Sequence, residues 1–356
     1  MNEVVQQLAE TVRAAAANCT PLCIRGGGSK DFYGNAPRGE ALSTRAYGGI
    51  VAYEPTELVI TARCGTPLAD IEAALRERRQ MLAFEPPQFG AAGEKTATLG
   101  GCIAAGLSGP RRASAGAVRD FVLGVRLLNG NGEDLRFGGQ VMKNVAGYDV
   151  SRLIAGSLGT LGVILEASLK VLPLPAAETT LRLAMDPARA IRTMNEWAGK
   201  PLPISATCHH DDVLSVRLSG AEAAVRAARA AIGGEEVESG AQFWSDLREQ
   251  RLGFFRAAPR LWRLSVRSTT PPLDLPGRQL IEWGGSLRWL DSDADAGTLR
   301  AAAGACGGHA TLFRAADKSA GAFQPLPPAL MQLHHGLKRA FDPAGILNPG
   351  RMYQEL

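Results

Sequence analysis

The sequence predicts an α+β protein of two domains, and three observations predict it. At 356 residues the chain is longer than one hydrophobic core usually fills. Its 41 glycines, above an average usage of roughly 7%, concentrate at 26–28, 100–109, 130–139 and 156–162, all in the first half. After Pro175 glycine thins, and strand-like and helix-like runs alternate.

Residues 3–17 carry Val4, Val5, Leu8 and Val12 at helical spacing and read as an amphipathic helix. Strand-like runs follow at 22–24, 49–53 and 58–63. Pro67 suits a first helical turn, and Leu68, Ile71, Ala74 and Leu75 continue that helix. Residues 121–128, the turn Asn129-Gly130-Asn131-Gly132 and residues 134–137 read as a β-hairpin. The run 163–172 alternates as a strand and is stopped by Pro173 and Pro175. Beyond it come strands at 181–185, 204–207, 213–218, 261–266, 286–290 and 309–313. Helices are expected at 187–197, 221–232, around Phe243, Trp244 and Leu247, and at 294–305. Two strand–helix–strand units predict an antiparallel sheet with helices on one face. A final helix at 327–341 precedes an irregular tail, and no repeat of fixed period is evident.

Composition excludes several classes of function. The net charge of +4 is dispersed, with no Lys/Arg block interleaved with aromatics, so nucleic acid is not an expected partner. No apolar run reaches the roughly 18–20 residues of a membrane span, and the start Met1-Asn2-Glu3-Val4 lacks an export signal. A cytoplasmic location is expected, with the inner face of the cell membrane reachable through a complex. Six scattered cysteines form no CxxC pair, so neither a disulfide framework nor an iron–sulfur centre is expected within this chain.

The most informative motif is Arg25-Gly26-Gly27-Gly28-Ser29-Lys30, directly after the first strand-like run. Residues without side chains turn tightly and aim successive N–H groups into one concavity, a nest for phosphate or pyrophosphate, with Arg25 or Lys30 as counter-charge. The same residues are also ordinary turn chemistry. The Walker pattern needs glycine directly before Lys-Ser/Thr, and Ser29-Lys30-Asp31 reverses that order. A dinucleotide GxGxxG needs a helix next, which Gly34, Pro37 and Gly39 break. In the second cluster Thr98 can cap a helix whose Gly100, Gly101, Ala104, Ala105 and Gly106 leave almost no side chains, open to close packing by backbone or flat ligand. The third cluster joins Lys143-Asn144-Val145-Ala146-Gly147-Tyr148-Asp149 to Gly156-Ser157-Leu158-Gly159-Thr160-Leu161-Gly162, which feeds the strand starting at Val163 and Ile164.

Taken in order, these motifs, with Glu54-Pro55-Thr56-Glu57-Leu58-Val59-Ile60 and the closing Asp342-Pro343-Ala344-Gly345-Ile346-Leu347-Asn348-Pro349-Gly350-Arg351, resemble the PCMH-type FAD-binding domain of the vanillyl-alcohol oxidase family. The runs Ser108-Gly109-Pro110-Arg111-Arg112, Val118-Arg119-Asp120-Phe121-Val122-Leu123-Gly124 and Asn348-Pro349-Gly350-Arg351-Met352-Tyr353 narrow the resemblance to FAD-binding subunits of bacterial glycolate oxidase, nearly end to end. The resemblance implies a PCMH-type domain of two α+β subdomains at 1–174, an α+β ferredoxin-like cap at 175–326, and a helix and tail at 327–356 returning to the flavin site. It gives the FAD pyrophosphate to Arg25, Gly26, Gly27, Gly28 and Ser29, and the length of the flavin to Thr98, Gly100, Gly101, Ala105, Ser108 and Gly109. Gly159, Gly162, Val163 and Ile164 would also line the cofactor, with Asn348 and Arg351 at the flavin ring.

Two departures matter. Ser29 stands where relatives with histidyl-linked flavin carry His, and Thr96 stands near where doubly linked ones carry Cys, so noncovalent FAD is expected. The His-rich, metal-supporting motif of relatives that oxidise 2-hydroxy acids has only Gly307-Gly308-His309-Ala310 as a counterpart, so no metal and no catalytic residue is assigned. His334-His335 can face the flavin or the surface, and His209-His210-Asp211-Asp212 reads as an exposed loop. The resemblance implies glycolate as substrate of a complex with a larger FAD-binding subunit, which holds the main substrate site, and an iron–sulfur subunit that passes electrons to a quinone-type acceptor. The alternatives are an assembly subunit without redox role and a stand-alone FAD-dependent oxidase.

Overall fold

In a computed structural model, residues 3–90, 94, 96–139 and 149–356 are described. The run Lys143–Tyr148 of the third motif therefore lies outside the described residues. The chain divides into two compact units, one of residues 1–107, 117–173 and 325–356, the other of 108–116 and 174–324.

Among the described residues the first unit holds a five-stranded sheet in the order Ile50–Glu54, Val59–Arg63, Val163–Lys170, Val122–Leu128, Asp134–Gly138. Every neighbouring pair is antiparallel. The expected hairpin forms, with Asn129 Oδ1 accepting from the amides of Asn131 and Glu133 at 3.0 Å each in its turn. Arg126, which interrupts the apolar strand Val122–Leu128, bonds Asp134 at 2.7 Å and Glu166 at 2.7 Å, so its charge is neutralised on the sheet. The helix Glu3–Ala17 buries Val5, Leu8, Ala9, Val12 and Ala15, the stripe its periodicity predicts.

A second, smaller sheet positions the glycine loop. Leu22–Arg25 pairs in parallel with Glu40–Ser43, a strand too polar for its sequence to reveal. On its other side Leu22 bridges Leu347: its N–H donates to Ile346 O at 2.7 Å, and its carbonyl accepts from Asn348 N at 2.9 Å.

The second unit is an antiparallel eight-stranded sheet in the order Glu235–Glu236, Ala177–Ala184, Val213–Gly220, Ile204–His210, Arg278–Glu282, Leu287–Asp291, Leu261–Ser265, His309–Arg314. Its first four strands stand in the order 4-1-3-2 with helices Pro187–Ala198 and Glu222–Ile232 between them, the ferredoxin-like arrangement. The last four repeat the theme as 2-3-1-4 with one helix, Ala296–Ala305. The repeat was invisible in sequence because its second copy lacks a helix between the first two strands. Two features differ from expectation. The strand Arg278–Glu282 was not predicted, and its flanks Pro271, Pro272, Pro276 and Gly277 explain why. Helices also cover both faces: Leu181, Leu214, Val216 and Leu218 pack against two of them, whereas Trp244 of Gly240–Arg248 donates to Thr180 Oγ1 at 2.9 Å on the other face.

Candidate functional site

The glycine loop sits where the Leu22–Arg25 strand ends. Gly28 has φ +80°, a conformation that glycine adopts without strain. A Cβ on Gly27 would lie 1.3 Å from the Thr96 carbonyl oxygen, and one on Gly26 would lie 2.3 Å from Thr98 Oγ1. Those two glycines are therefore demanded first by the protein's own packing. What the loop leaves for a ligand is its amides: among the described residues no atom accepts a hydrogen bond from the N–H of Gly26, Gly27, Gly28 or Ser29. Four consecutive donors without an internal partner are an anion-binding arrangement. Arg25, at the mouth, pairs with Asp31 at 2.5 Å, and Lys30 Nζ donates to Ser29 Oγ at 3.3 Å.

The helix Leu99–Ala105 forms the next wall. Thr98 Oγ1 accepts from Gly101 N at 3.4 Å, while Leu99 N and Gly100 N donate to Thr66 O and Cys64 O. The helix's first amides are thus satisfied internally, so its N-terminus is not the anion site. Gly101, Ala104 and Ala105 share one face and give the groove a smooth side. A Cβ on Gly101 would meet only Thr98 Oγ1, at 3.3 Å, so this glycine opens onto free space.

Two adjoining sections make up the groove. An outer section, with about 510 Å³ of empty space, takes in the glycine loop, Thr98 and Arg351. An inner section of about 360 Å³ takes in Thr44, Gly100, Gly159, Gly162 and Ile164. Ile24, Gly26, Gly101, Ala104, Leu158 and Asn348 line both.

The remaining expected residues fall elsewhere or act differently. Val163 is fully buried and lines neither section. Ser108 and Gly109 belong to the second unit, where Gly109 O accepts from Trp283 Nε1 at 3.1 Å. Asn348 is a stitch: its Oδ1 accepts from Ile24 N at 2.7 Å and its Nδ2 donates to Leu158 O at 2.6 Å. Arg351 donates to the carbonyls of Asn35 and, at 2.9 Å, Asp31, and burial lowers its pKa. Both lie against the groove, yet most of their polar atoms hold backbone. His209 is buried and His210 half-buried at the end of the strand Ile204–His210, not in an exposed loop; only Asp211 and Asp212 make the turn. His334 Nδ1 bonds Leu330 O at 2.8 Å within its helix.

Sequence reasoning missed Thr44, Leu158 and Asp31, and also the anchor beneath the groove. Lys338 is buried, and its Nζ donates to Thr160 O at 2.9 Å and Leu347 O at 2.6 Å while pairing with Asp342 at 2.8 Å. Asp342 in turn accepts from the amides of Ile346 and Leu347. Their i, i+4 spacing at the end of a helix was the available signal.

The groove fits a dinucleotide flavin: unused amides stand at its mouth and a wall of small residues runs along it. Burial pushes the Cys64 and Cys102 thiols up to about 12. Among the described residues no group of three His, Cys, Asp or Glu side chains could hold a metal ion, and no helix is long and apolar enough to cross a membrane.

Comparison with known proteins gives concordant findings. Residues 3–138 match the FAD binding domain family, and residues 317–352 match the C-terminal domain of FAD linked oxidases. The chain is 53% identical to glycolate oxidase subunit GlcE of Escherichia coli K12 over 99% of its own length and 98% of that protein's. Over 45% of its length it is 32% identical to glycolate oxidase subunit GlcD of Bacillus subtilis, covering 34% of that protein. Among solved structures, p-cresol methylhydroxylase with substrate bound superposes with a TM-score of 0.70 at 16% identity, covering 99% of this chain and 87% of that one.

Proposed function

Because this chain belongs to the family of glycolate oxidase GlcE subunits, we propose that it is the smaller flavin-carrying subunit of a complex that oxidises glycolate to glyoxylate. FAD is its cofactor, and the observation that carries the reading is the row of unused amides at Gly26–Ser29 opening onto a groove walled by small residues. Bound in that groove, FAD supplies a two-electron acceptor for hydride equivalents arising from C2 of glycolate.

The chain's own residues bind and orient. The Gly26, Gly27, Gly28 and Ser29 amides hold the diphosphate, with Arg25 and Lys30 at hand as counter-charge. Gly101, Ala104 and Ala105 admit a flat ring beside the helix, and Gly100, Gly159, Gly162 and Ile164 floor the inner section. Asn348, by tying Ile24 to Leu158, and Arg351, by holding the carbonyls of Asp31 and Asn35, fix the segments that would border the ring. Retention is noncovalent, since the side chains at Ser29 and Thr96 offer neither imidazole nor thiol. The partners are a larger FAD-binding subunit, which holds the main substrate site, and an iron–sulfur subunit leading to a quinone-type acceptor; the whole sits in the cytoplasm or against the inner face of the membrane.

An absorbance spectrum of the purified chain before and after acid precipitation tests this. A yellow supernatant supports noncovalent flavin, and a colourless chain that added FAD cannot reconstitute overturns the reading. Glycolate-dependent dye reduction by the complex then assigns the role. Full turnover when this chain alone is flavin-free would make it a scaffold.

A further inference from the structure

The groove holds one group that a plain diphosphate seat would lack. Among the described residues lining its two sections, Asp31 is the only carboxylate. The backbone returns it to the glycine loop: its N–H donates to Gly28 O at 3.1 Å, and its carbonyl accepts from Arg351 Nη2 at 2.9 Å. Its side chain pairs with Arg25 at 2.5 Å and, among the described residues, makes no other hydrogen bond or ion pair. The guanidinium so held lies against the loop, because a Cβ on Gly28 would come within 2.6 Å of Arg25 Nη2 and 3.0 Å of Nε. A negative charge and the cation it holds thus stand beside the row of unused amides.

We propose that Asp31 is the specificity-determining residue of this seat: it occupies Arg25 in place of a ligand phosphate, and it disfavours free pyrophosphate more than the doubly esterified diphosphate of a dinucleotide. The inference rests on the reading of the Gly26–Ser29 amides as the diphosphate seat. Two effects of the carboxylate act together. The pair is exposed, with 55% of the Arg25 side chain and 41% of the Asp31 side chain accessible, so it is weak and a phosphate can take the guanidinium over. The carboxylate then remains beside the ligand, and its repulsion grows with the ligand's charge. A diphosphate esterified at both ends carries one negative charge per phosphorus, whereas pyrophosphate with free ends carries more. By themselves Arg25, Lys30 and Arg351 would favour the more highly charged anion. Asp31 offsets that preference, and the amides, which are neutral, are left to recognise the shape.

The test is calorimetric titration of the full chain, depleted of flavin, with FAD and separately with inorganic pyrophosphate, in magnesium-free buffer of low ionic strength. Asp31→Asn keeps the side chain's shape and removes its charge. We expect it to bind FAD about threefold and pyrophosphate about tenfold more tightly than wild type, at an unchanged melting temperature, with Asp31→Ala giving the same order. Arg25→Gln weakens both ligands, and in that background Asp31→Asn gives a smaller gain, since no guanidinium is released. Unchanged or weaker FAD binding by Asp31→Asn overturns the proposal, and weaker binding would make the carboxylate a group that holds the cofactor. An equal gain for the two ligands also overturns it, as does an Asp31→Asn chain that binds no pyrophosphate. Failure of the flavin reading looks different: FAD binds in no form, while pyrophosphate binds and still gains from Asp31→Asn.

Discussion

Gly101 separates the two duties that glycine performs in this chain. Gly27 is wedged against Thr96 O and Gly26 against Thr98 Oγ1, so replacing either would damage the fold along with any ligand site. Gly101 faces open groove, on a helix. Gly101→Ala should stabilise the flavin-free protein by about 0.5–1 kcal/mol through helix propensity, and Gly101→Leu should fill the space a ring would occupy. We expect Gly101→Leu to unfold in urea at no lower midpoint than wild type and to purify with less than about a tenth of its FAD; normal FAD content in that variant would move the cofactor out of this groove. The contrast also shows what was legible at this scale. Arg25 followed by three glycines announced a row of amides, since any backbone so denuded has them to offer. It could not announce that Thr96 and Thr98 pack on the other side of the same residues, because that contact spans some seventy residues of chain. Leu158 was hidden for a related reason: it adopts φ +52° against its own preference, held by Asn348 Nδ2 on its carbonyl.

Two elements make predictions of their own. The last turn of the Pro328–Phe341 helix ends in the buried pair Lys338–Asp342, and burial lowers the lysine's pKa against the pull of its carboxylate. Lys338→Met leaves Asp342 buried without a cation and should cost about 3–5 kcal/mol in urea denaturation; a loss under about 1 kcal/mol would mean that the tail is held by Asn348 and Arg351 instead. In the second unit, at the end of the strand Ile204–His210, burial lowers the pKa of His210, whose ring meets Phe254 edge-on at 5.3 Å. The unfolded chain, with His210 at its ordinary value of about 6.5, then binds the proton more tightly than the folded one. Stability should fall as pH drops below about 6.5 and recover above it. His210→Gln should flatten that slope in denaturation curves at pH 5 and pH 7, and an unchanged slope would assign it to other groups. Elements with strong periodicity, such as Glu3–Ala17 and Pro187–Ala198, could be read directly. Glu40–Ser43 and Arg278–Glu282 could not, since each is short, flanked by Gly or Pro, and made a strand only by the neighbour it pairs with.

For the whole molecule, ligand linkage gives the clearest expectation. FAD present at about a hundredfold over its dissociation constant should add about 2.7 kcal/mol to the folded state. Amide exchange should register the gain in the unit that contains residues 1–107, first of all at Gly26–Ser29. Slowed exchange confined to residues 174–324 would contradict the assignment of the groove. Leu22 gives this unit a further property. Its strand is completed by residues 346–348, more than three hundred positions later, and the groove is closed by the same segment. During synthesis Leu22 waits, its edge unsatisfied, until residues 346–348 have followed it. Cofactor capture therefore depends on that distant segment: a chain made only part of the way to it has the amides but not yet the stitch that shapes the slot around them.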